Sequence, residues 1–537
     1  MRFKHFMILI VILVFINNLS AGPSGWEKNE IIIAKDGYQP SVAFYRDNIF
    51  ITYIRSDSDR QHVYFKGSTN EGKTWLKEIP VASGDHSCST PKIIFLDRRI
   101  YIFWVDFKDG NNEIYYTYSE DPLGKSFKPP IRITSNSSDS IQPTLVSSPG
   151  KIVLIWSDDM KKDYELFSMM YDTVKNSWSE YIQITSYSGG SFYPDALMML
   201  DEIHLVWQQK EGDKWKIMYN KSEDGIAWIK PVNVSSGLSS GLEPKISLSP
   251  GGLKVVFQGQ QDHEYEIYVN SYEYFSERWL IPMKITRNVN IEYSPTLISS
   301  MDGIFAFWYD YSEGNNEIIY TISDDEGLIW NDRVNLTETK GDSHNYDIIY
   351  NSFNNNIYIV WEEENKGQIA FKKKDIFCPI PTIVATSHQS NTWSFEKNAV
   401  FKWKVDEDSS GIQDFAYMIN DDPTYMPDLF LAEYPIDEAK FYNLKDGIWY
   451  FHLRARDTIG NMSKVLHYPL KINSKLYLEK VIYYVVKYGD TLWEISEKHY
   501  KDPKLYPIIA SYNQINNPKM IYPHQIIKIP PRKPVIK

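Results

Sequence analysis

Acidic side chains recur at one position of a repeated strand pattern and are the first candidates for chemistry. Each lies two residues after a strand-ending tryptophan, and Arg55 occupies the same position in the first repeat. Aromatic residues come just before the inner strand of four of the units. Carboxylates beside aromatic rings suit a sugar, a cation or a basic peptide. The set comprises Tyr38, Arg55, Asp106, Asp158, Tyr193, Tyr293, Asp310, Tyr346 and Glu363, and we call it the candidate face.

The same residues have a structural interpretation, which stays open beside the functional one. Because they recur with the repeat, the carboxylates could satisfy hairpin backbones while the aromatics fill a narrow mouth. No glycine-rich phosphate loop stands out, and we assign no catalytic residue, metal ligand or cofactor.

A repeat of about fifty residues positions these side chains. Six strand-like segments open at Pro40, Pro91, Pro143, Pro194, Pro244 and Pro295, which are 50 to 52 residues apart, and a seventh opens without proline. Each unit contains four short alternating segments, which is typical of a β-propeller blade. An aromatic marker ends one strand of each unit: Tyr53, Trp104, Trp156, Trp207, Phe257, Trp308 and Trp361.

The last unit stops near Phe371 with three strands, and the missing fourth is visible at the other end of the chain. The segment from Trp26 to Ile33 aligns with the fourth strand of the first unit, Trp75 to Pro80. The sequence therefore predicts a seven-bladed propeller closed by its N-terminal strand, which leaves no open edge.

The turns before the fourth strands resemble the Asp-box, or BNR repeat, of sialidase-like propellers. Two carry the motif in full, at Ser68–Trp75 and Ser323–Trp330. An Asx side chain can bond nearby N–H groups there, glycine supplies a positive φ, and the aromatic pins the hairpin. The motif therefore indicates a fold and not an active site.

The resemblance to sialidases raises an enzyme hypothesis, which the residues do not favour. Sialidases of this superfamily hold a carboxylate with three arginines and usually have six blades and an Arg-Ile-Pro segment. Here there are seven units and no such segment, and only Arg55 and Arg287 fall in suitable loops. A carboxylate clamp needs convergent arginines. We expect a non-catalytic propeller, and the alternative is a wall-targeted, sialidase-like glycoside hydrolase.

Between Cys378 and Asn473 the repeat stops. Alternating segments such as Val400–Val405 and Trp449–Ala455 predict half-buried strands. This region resembles bacterial immunoglobulin- or fibronectin-type modules, which implies a β-sandwich acting as a spacer.

The C-terminal segments Tyr484–Ser496 and Ile521–Pro530 closely resemble the opening and the close of a LysM domain. Thr491 and Glu494 form a capping box for a helix, and the spacing predicts a βααβ unit with Trp493 in its core. His524 departs from the family, which usually has glycine there.

The LysM resemblance implies binding of peptidoglycan or another N-acetylglucosamine polymer. Backbone groups would bond the acetamide while apolar side chains cover its methyl group. A single copy is expected to bind weakly. The groove residues implied are Gly489, Asp490, Thr491 and Leu492, facing Met520, Ile521 and Tyr522.

The N-terminal segment and the composition limit where the protein can be located and what it can bind. A basic start and an apolar run from Phe6 to Ile16 predict a signal peptide, and no later stretch could cross a bilayer. A net charge of −12 argues against nucleic acid. We expect an exported protein of the periplasm, cell wall or cell surface, with an envelope protein or glycan as a possible partner of the propeller. Whether Cys88 and Cys378 pair is open.

The expected architecture is mainly β, with six segments. They are a signal peptide (1–21), a seven-bladed β-propeller (22–377), an Ig- or fibronectin-like β-sandwich (378–475), a linker (476–483), a small βααβ LysM domain (484–531) and a tail (532–537).

Overall fold

The computed structural model describes residues 25–27, 29–57, 60–84, 86–261, 264–286, 291–301, 303–311, 314–339, 341–363, 367–375, 378–394, 396–406, 408, 411–458, 460–474 and 481–531. The expected signal peptide and tail, and Arg287, lie outside these residues. The expected linker lies largely outside them.

The protein is mainly β and divides into two compact units, Met1–Ile376 and Phe377–Lys537. Helices occur only near the C-terminus of the described chain. Among the residues described, no helix is long and apolar enough to span a membrane.

Seven antiparallel sheets fill the first unit. Sheets one to six follow each other along the chain, and each pairs its strands in sequence order. In sheets three and five, two short segments share the outer position on the third strand. The strands are β1 (Ile31–Lys35); β2–β5 of sheet one (Gly37–Tyr45, Asn48–Asp57, Arg60–Ser68, Ile79–Ala82); β6–β9 of sheet two (Cys88–Leu96, Arg99–Asp106, Glu113–Ser119, Ile131–Arg132); β10–β14 of sheet three (Ser140–Ser148, Lys151–Lys161, Asp163–Asp172, Ser177–Trp178, Ile182–Gln183); β15–β18 of sheet four (Ser191–Met199, Glu202–Glu211, Lys214–Ser222, Val232–Asn233); β19–β23 of sheet five (Ser240–Ser249, Gly252–Gln261, Glu264–Glu273, Arg278–Trp279, Met283–Lys284); β24–β27 of sheet six (Glu292–Ser300, Gly303–Asp310, Glu317–Ser323, Val334–Asn335); and β28–β30 of sheet seven (Ser343–Asn351, Asn356–Glu363, Gln368–Asp375).

The N-terminal strand belongs to the last sheet. Strand β1 pairs antiparallel with β30, with Ile31 opposite Phe371. Trp26 extends the contact through a bridge to Lys374 and is 3% exposed. Sheet seven therefore takes its fourth strand from the start of the chain.

The second strand of each sheet forms its buried centre. In β7 the run from Ile100 to Asp106 is buried throughout, because both sides of this strand face neighbouring sheets. Continuous apolar strands are typical of sheets covered on both faces. The tryptophan markers of five sheets are 0–1% exposed, at Trp104, Trp156, Trp207, Trp308 and Trp361.

A β-bulge recurs in the first strand of every sheet. In β2 the register shifts between Tyr38 and Ser41, and Gln39 has a φ of 49°. A bulge inserts one residue and re-aims the side chains that follow it. The equivalent left-handed residues are Thr90, Gln142, Tyr193, Glu243, Ser294 and Asn345, with φ between 45° and 54°.

Side chains tie neighbouring sheets together, in most cases near these bulges. Gln39 Oε1 accepts the Thr90 N–H at 2.7 Å, and Asp347 Oδ2 accepts the Ser41 hydroxyl at 2.8 Å. The second of these bonds joins sheet seven to sheet one. Bonds near the bulges also link sheets three and four (Gln142 to Tyr193), four and five (Asp195 to Ile246), five and six (Glu243 to Ser294), and six and seven (Ser294 to Tyr346). Sheets two and three are linked at the other end of their first strands, where Asp97 accepts the Gly150 N–H.

The turn before the fourth strand of sheet six is held by side-chain hydrogen bonds to its own backbone. In sheet six, Asp325 Oδ1 accepts the Ile329 N–H at 2.8 Å and Ser323 Oγ accepts the Gly327 N–H at 2.8 Å. Gly327 has a φ of 85°, which favours glycine. The turn is therefore held by local side-chain bonds, as a structural role requires.

The second unit begins with two sheets packed around one core. Phe401 of the three-stranded sheet stacks on Phe451 of the five-stranded sheet, with ring centroids 4.1 Å apart. The strands are β31 (Thr382–Thr386), β33 (Ala399–Lys404) and β36 (Glu438–Phe441) in one sheet, and β32 (Trp393–Ser394), β38 (Leu466–Ile472), β37 (Gly447–Asp457), β34 (Ile412–Asn420) and β35 (Phe430–Glu433) in the other.

A small module of two strands and two helices ends the described chain. Strands β39 (Ile482–Val485) and β40 (Ile526–Ile529) pair antiparallel. Between them lie α1 (Leu492–Tyr500), a 3-10 turn (Pro503–Leu505) and α2 (Tyr506–Tyr512). One core joins all four elements and includes Leu492, Ile509 and Ile527.

Candidate functional site

Two loops of the C-terminal module lie at the same end of its two-stranded sheet. Val485 pairs with Ile526, so the chain leaving β39 and the chain entering β40 are neighbours. Val486 continues the contact, because its N–H donates to the Gln525 carbonyl at 2.8 Å. The segments 487–491 and 520–525 therefore border one surface.

The first loop is held in shape by its own side chains. Asp490 Oδ2 accepts the Lys487 N–H at 2.7 Å and the Tyr484 hydroxyl at 2.9 Å. Burial and the Asp490 carboxylate raise the pKa of Tyr484. Thr491 and Glu494 form the expected reciprocal capping box at the start of α1. Gly489, at φ 90°, has no neighbouring atom within 4 Å of an added Cβ.

Some of the predicted groove residues pack in the core or cap the helix, and others have exposed side chains. Leu492 is 1% exposed and belongs to the core, and Ile521 packs against that core. Met520 and Tyr522 are 53% and 58% exposed. On the first side of the groove, the side chains of Asp490, Thr491 and Leu492 are committed to the fold, so these three residues offer a ligand their backbone groups. In the second loop, exposed side chains are available.

Trp493 is exposed, and its expected place in the core is wrong. Helix α1 buries Leu492, Ile495, Ser496 and Tyr500. Those positions share one helical face, and Trp493 lies about 100° away from Leu492 around the axis. It is 49% exposed, and its ring centroid is 6.0 Å from that of Tyr506. The helical spacing of the sequence from Leu492 to Tyr500 could have predicted that Trp493 lies off the buried face.

Tyr488 was also missed by the sequence analysis. It is 96% exposed, immediately before Gly489 in the first loop. The module thus presents aromatic surface at Tyr488, Trp493 and Tyr522.

His524 adopts the backbone conformation that explains why glycine is usual at this position. Its φ is 68°, and its N–H donates to the Val486 carbonyl at 2.8 Å. The left-handed region costs a non-glycine residue about 1–2 kcal/mol. The turn forms with histidine, at the expense of backbone strain.

The carboxylates of the candidate face are buried. Asp106, Asp158, Asp310 and Glu363 are 0–2% exposed. Asp158 Oδ2 accepts the Trp156 indole N–H at 3.1 Å and the Ser140 hydroxyl at 2.7 Å. The indole needs an acceptor when it is buried, and the residue two positions later provides it. The same indole contact is made by Asp106 to Trp104 and by Glu363 to Trp361.

Two charged residues of the candidate face, Asp310 and Arg55, form ion pairs. Arg333 binds the buried Asp310 carboxylate. Arg55 is ion-paired with Glu78 and lies over the Tyr64 ring, 4.1 Å from its centroid. Arg55 is therefore engaged within sheet one and does not converge with a second arginine of the described chain on an open position.

The aromatics of the candidate face differ in exposure. Tyr193 is 47% exposed, whereas Tyr38 and Tyr293 are half-buried. The Tyr346 hydroxyl donates to the Ser294 carbonyl at 2.6 Å, and burial raises its pKa. Tyr193 is thus the member best placed to contact a ligand.

A polar position that sequence reasoning missed follows each bulge. Asp195 Oδ1 and Lys245 Nζ lie 3.0 Å apart. Burial lowers the pKa of Lys92, and the carboxylates of Asp347 and Asp195 oppose that effect. In six of the seven sheets a proline immediately precedes this position, and in sheet seven Tyr346 does. The full set is Ser41, Lys92, Thr144, Asp195, Lys245, Thr296 and Asp347.

Comparison with known families identifies the C-terminal module. The LysM domain model matches residues 484–530, which confirms a LysM domain at this end of the chain. An uncharacterized protein of Deinococcus radiodurans is 49% identical over 47 residues, 9% of this chain and 19% of that protein. The chain thus shares about a fifth of the length of that relative, and the relative informs on this module alone.

Solved structures resemble the larger part of the chain in fold. An ulvan lyase from a family of polysaccharide lyases has a TM-score of 0.50 at 9% identity, over 64% of this chain and 95% of that chain. A protein of unknown function from Dyadobacter fermentans has a TM-score of 0.41 at 13% identity, over 65% of this chain and 98% of that chain. At such identities the likeness concerns the fold alone.

Proposed function

We propose that this protein binds peptidoglycan, or another N-acetylglucosamine polymer, through its LysM domain and presents a non-catalytic β-propeller at the cell envelope. The LysM match to residues 484–530 carries the first half of this proposal. LysM domains bind such polymers and indicate association with the cell wall. The further details, meaning the groove residues, the propeller and its role, are our inference.

The glycan groove lies between the loops 487–491 and 520–525. The exposed Met520 and Tyr522 side chains supply apolar cover, and the backbone around Gly489 supplies hydrogen bonds. Gly489 keeps this backbone open, since no atom lies within 4 Å of its added Cβ position. A small groove with few contacts binds weakly, so the domain localises the protein.

The seven sheets form a seven-bladed propeller closed by the N-terminal strand. Two observations support this. Ser41 of sheet one bonds Asp347 of sheet seven at 2.8 Å. In addition, Lys92 of sheet two is within electrostatic reach of Asp195, Lys245 and Asp347, which belong to sheets four, five and seven. Side chains from four sheets converge in this way around a common axis.

The domain plan follows the expected one, with the propeller over 22–377, an immunoglobulin- or fibronectin-like spacer over 378–475 and the LysM domain over 484–531. Asp-box-like turns, such as that at Asp325, support the relationship to sialidase-like propellers. A signal peptide over 1–21 would export the chain to the periplasm, wall or cell surface.

A glycan-active propeller is the second candidate. The fold likeness to an ulvan lyase, at a TM-score of 0.50, is the observation that favours it. Against it, the carboxylates of the candidate face are buried acceptors of structural hydrogen bonds. Release of products from purified peptidoglycan, a sialoside or an ulvan by the full chain would replace our proposal with this one.

Retention on purified, insoluble peptidoglycan tests the tether. The full chain should pellet with the polymer, and a chain ending before residue 478 should stay in solution. Equal retention of both would overturn the assignment.

Point variants test the groove itself. Met520→Ala and Tyr522→Ala should each weaken retention several-fold, because each removes exposed apolar cover. The matched control is Tyr483→Ala, which removes a tyrosine that is 66% exposed at the opposite end of the same sheet. Equal loss in the control would place the glycan elsewhere on the module.

A further inference from the structure

Three potential metal ligands of different chemistry meet at the start of sheet two. Cys88 opens β6 and lies directly opposite Asp106, the last residue of β7. The Cys88 Sγ–H is 3.6 Å from Asp106 Oδ2. His86, two residues earlier, brings its Nδ1 to 2.8 Å from Asp106 Oδ1 and to 3.8 Å from Cys88 Sγ. One nitrogen, one sulfur and one oxygen thus lie within 4.8 Å of each other.

Three other sheets, numbers three, four and seven, have a serine with a purely structural role at the position of Cys88. There, serine donates its hydroxyl to the residue that also accepts the tryptophan N–H: Ser140 to Asp158 at 2.7 Å, Ser191 to Gln209 at 2.8 Å and Ser343 to Glu363 at 2.9 Å. A thiol is a weaker hydrogen-bond donor than a hydroxyl. Sheet two therefore departs from the repeat, and its departure supplies a soft ligand.

The position of His86 departs from the repeat in the same sheet. The residues two before those serines are Ser138, Gly189 and Gly341, none of which is a metal ligand of this kind. His86 fits closely against Gly84, where an added Cβ would come within 2.7 Å of His86 Nε2. The histidine and the cysteine thus occur together, in the one sheet where an aspartate faces both.

We propose that His86 Nδ1, Cys88 Sγ and Asp106 bind a divalent transition-metal ion, with Zn²⁺ the ion that best fits this donor set. Zinc takes imidazole, thiolate and carboxylate ligands, with bonds of about 2.0–2.3 Å in tetrahedral geometry. Such bonds place ligand atoms ~3.5 Å apart. The two separations that involve sulfur are 3.6 and 3.8 Å. Metal entry replaces the hydrogen bond between His86 and Asp106.

The surroundings fit an ion held for stability. Cys88 is 1% exposed and Asp106 is 2% exposed. Binding releases the thiol proton to solvent, because the thiolate is the form that coordinates a metal. An ion held by all three side chains joins β6, β7 and the segment before them at the start of sheet two.

Zinc binding by the purified full chain, stripped with a chelator and kept reduced, tests the proposal. Equilibrium dialysis should give one tightly bound Zn²⁺ per chain. Co²⁺ in its place should show a thiolate-to-metal charge-transfer absorption. Cys88→Ser should lose that absorption and bind Zn²⁺ at least ~100-fold more weakly, because even an outer hydrogen-bonding partner of a ligand contributes about 10–100-fold.

The controls separate loss of the site from loss of the fold. Cys88→Ser should fold, because serine fills this position in three other sheets, and its circular dichroism checks this. His86→Ala is an independent second variant and should also lose the absorption. Cys378→Ser removes the other buried cysteine and should bind as the parent does. Failure of the parent chain to bind Zn²⁺, or equal binding by Cys88→Ser, would overturn the proposal.

Discussion

Ser41 donates its hydroxyl hydrogen to Asp347 across 2.8 Å, and the same carboxylate oxygen accepts the Val42 N–H at 2.9 Å. These bonds join the first of the seven sheets to the last. Asp195 holds Ile246 in the same way between sheets four and five, also at 2.9 Å. One local rule therefore serves both a junction between consecutive sheets and the junction between the chain's two ends.

Asp347→Ala should lower the free energy of unfolding of the first unit by about 1–3 kcal/mol, since it leaves a buried donor unsatisfied. Asp195→Ala should cost a similar amount. Chemical denaturation monitored by tryptophan fluorescence measures both. The exposed Asp332→Ala is the control and should change little. A loss for Asp195 alone would show that the junction of sheets one and seven does not bear on stability.

Lys373 provides a second test of the same junction. It is 1% exposed, and its Nζ lies 3.2 Å from Glu71 of sheet one. Glu71→Ala should destabilise the first unit by up to about 3–5 kcal/mol, because the buried ammonium is left with the more distant Glu27 carboxylate, 3.8 Å away. The double variant Glu71→Leu with Lys373→Met should be much milder. Equal losses of stability in the single and the double variant would mean that the Lys373 ammonium is solvated by water in the Glu71→Ala variant.

The β-sandwich should weaken in mild acid. His452 is 0% exposed, and its Nδ1 lies 2.7 Å from Nδ1 of His467. Burial, and then the charge of His467, lower the pKa of His452, and a hydrogen bond to the Asp422 backbone and the Asp422 charge oppose them in part. In the unfolded chain histidine titrates near ~6.5. Below that pH the unfolded state binds more protons, so stability falls as the pH drops towards the lowered pKa.

Hydrogen exchange of the β37 amides at neutral and mildly acidic pH measures this loss within the full chain. Protection should decrease in acid in the parent. It should decrease less in His467→Gln, which removes one charge, and least in His452→Gln. A pH dependence unchanged in His452→Gln would assign the effect to other groups.

His524→Gly should stabilise the LysM domain by about 1 kcal/mol, because glycine adopts a φ of 68° without the left-handed penalty. Slower exchange of the His524-position N–H, which bonds the Val486 carbonyl, is the measurement. His524→Ala keeps the strain and serves as the control. Equal exchange in both variants would show that the turn is not strained.

The repeat made much of the strand arrangement predictable. Pro40 and its equivalents marked the first strand of six sheets, and the alignment of Trp26 with Trp75 located the strand that completes sheet seven. Both patterns were visible because a proline beside a bulge and a buried tryptophan recur at fixed positions of the repeat. The LysM boundary was predictable for the same reason, through its cap at Thr491 and its paired strands.

The role of the candidate face was harder to predict, because a residue that binds a ligand and a residue that accepts a structural hydrogen bond can both recur with the repeat. Asp158 follows Trp156 by two residues on one strand, so both side chains point the same way and the carboxylate reaches the indole N–H. That spacing was visible, but the burial of both residues depends on the neighbouring sheet. Likewise, the cluster of His86, Cys88 and Asp106 needs two strands brought into register.

The pairing of Ile31 with Phe371 has a consequence for biogenesis. A ribosome or an export channel delivers the chain from its N-terminus, so β1 emerges 340 residues before its partner. Until then it is an exposed, largely apolar strand edge of the kind that invites aggregation. The first six sheets can assemble meanwhile, but the seventh cannot. Completion of this unit therefore waits for nearly its whole length, and a chain stopped short of residue 371 retains an unprotected strand at its beginning.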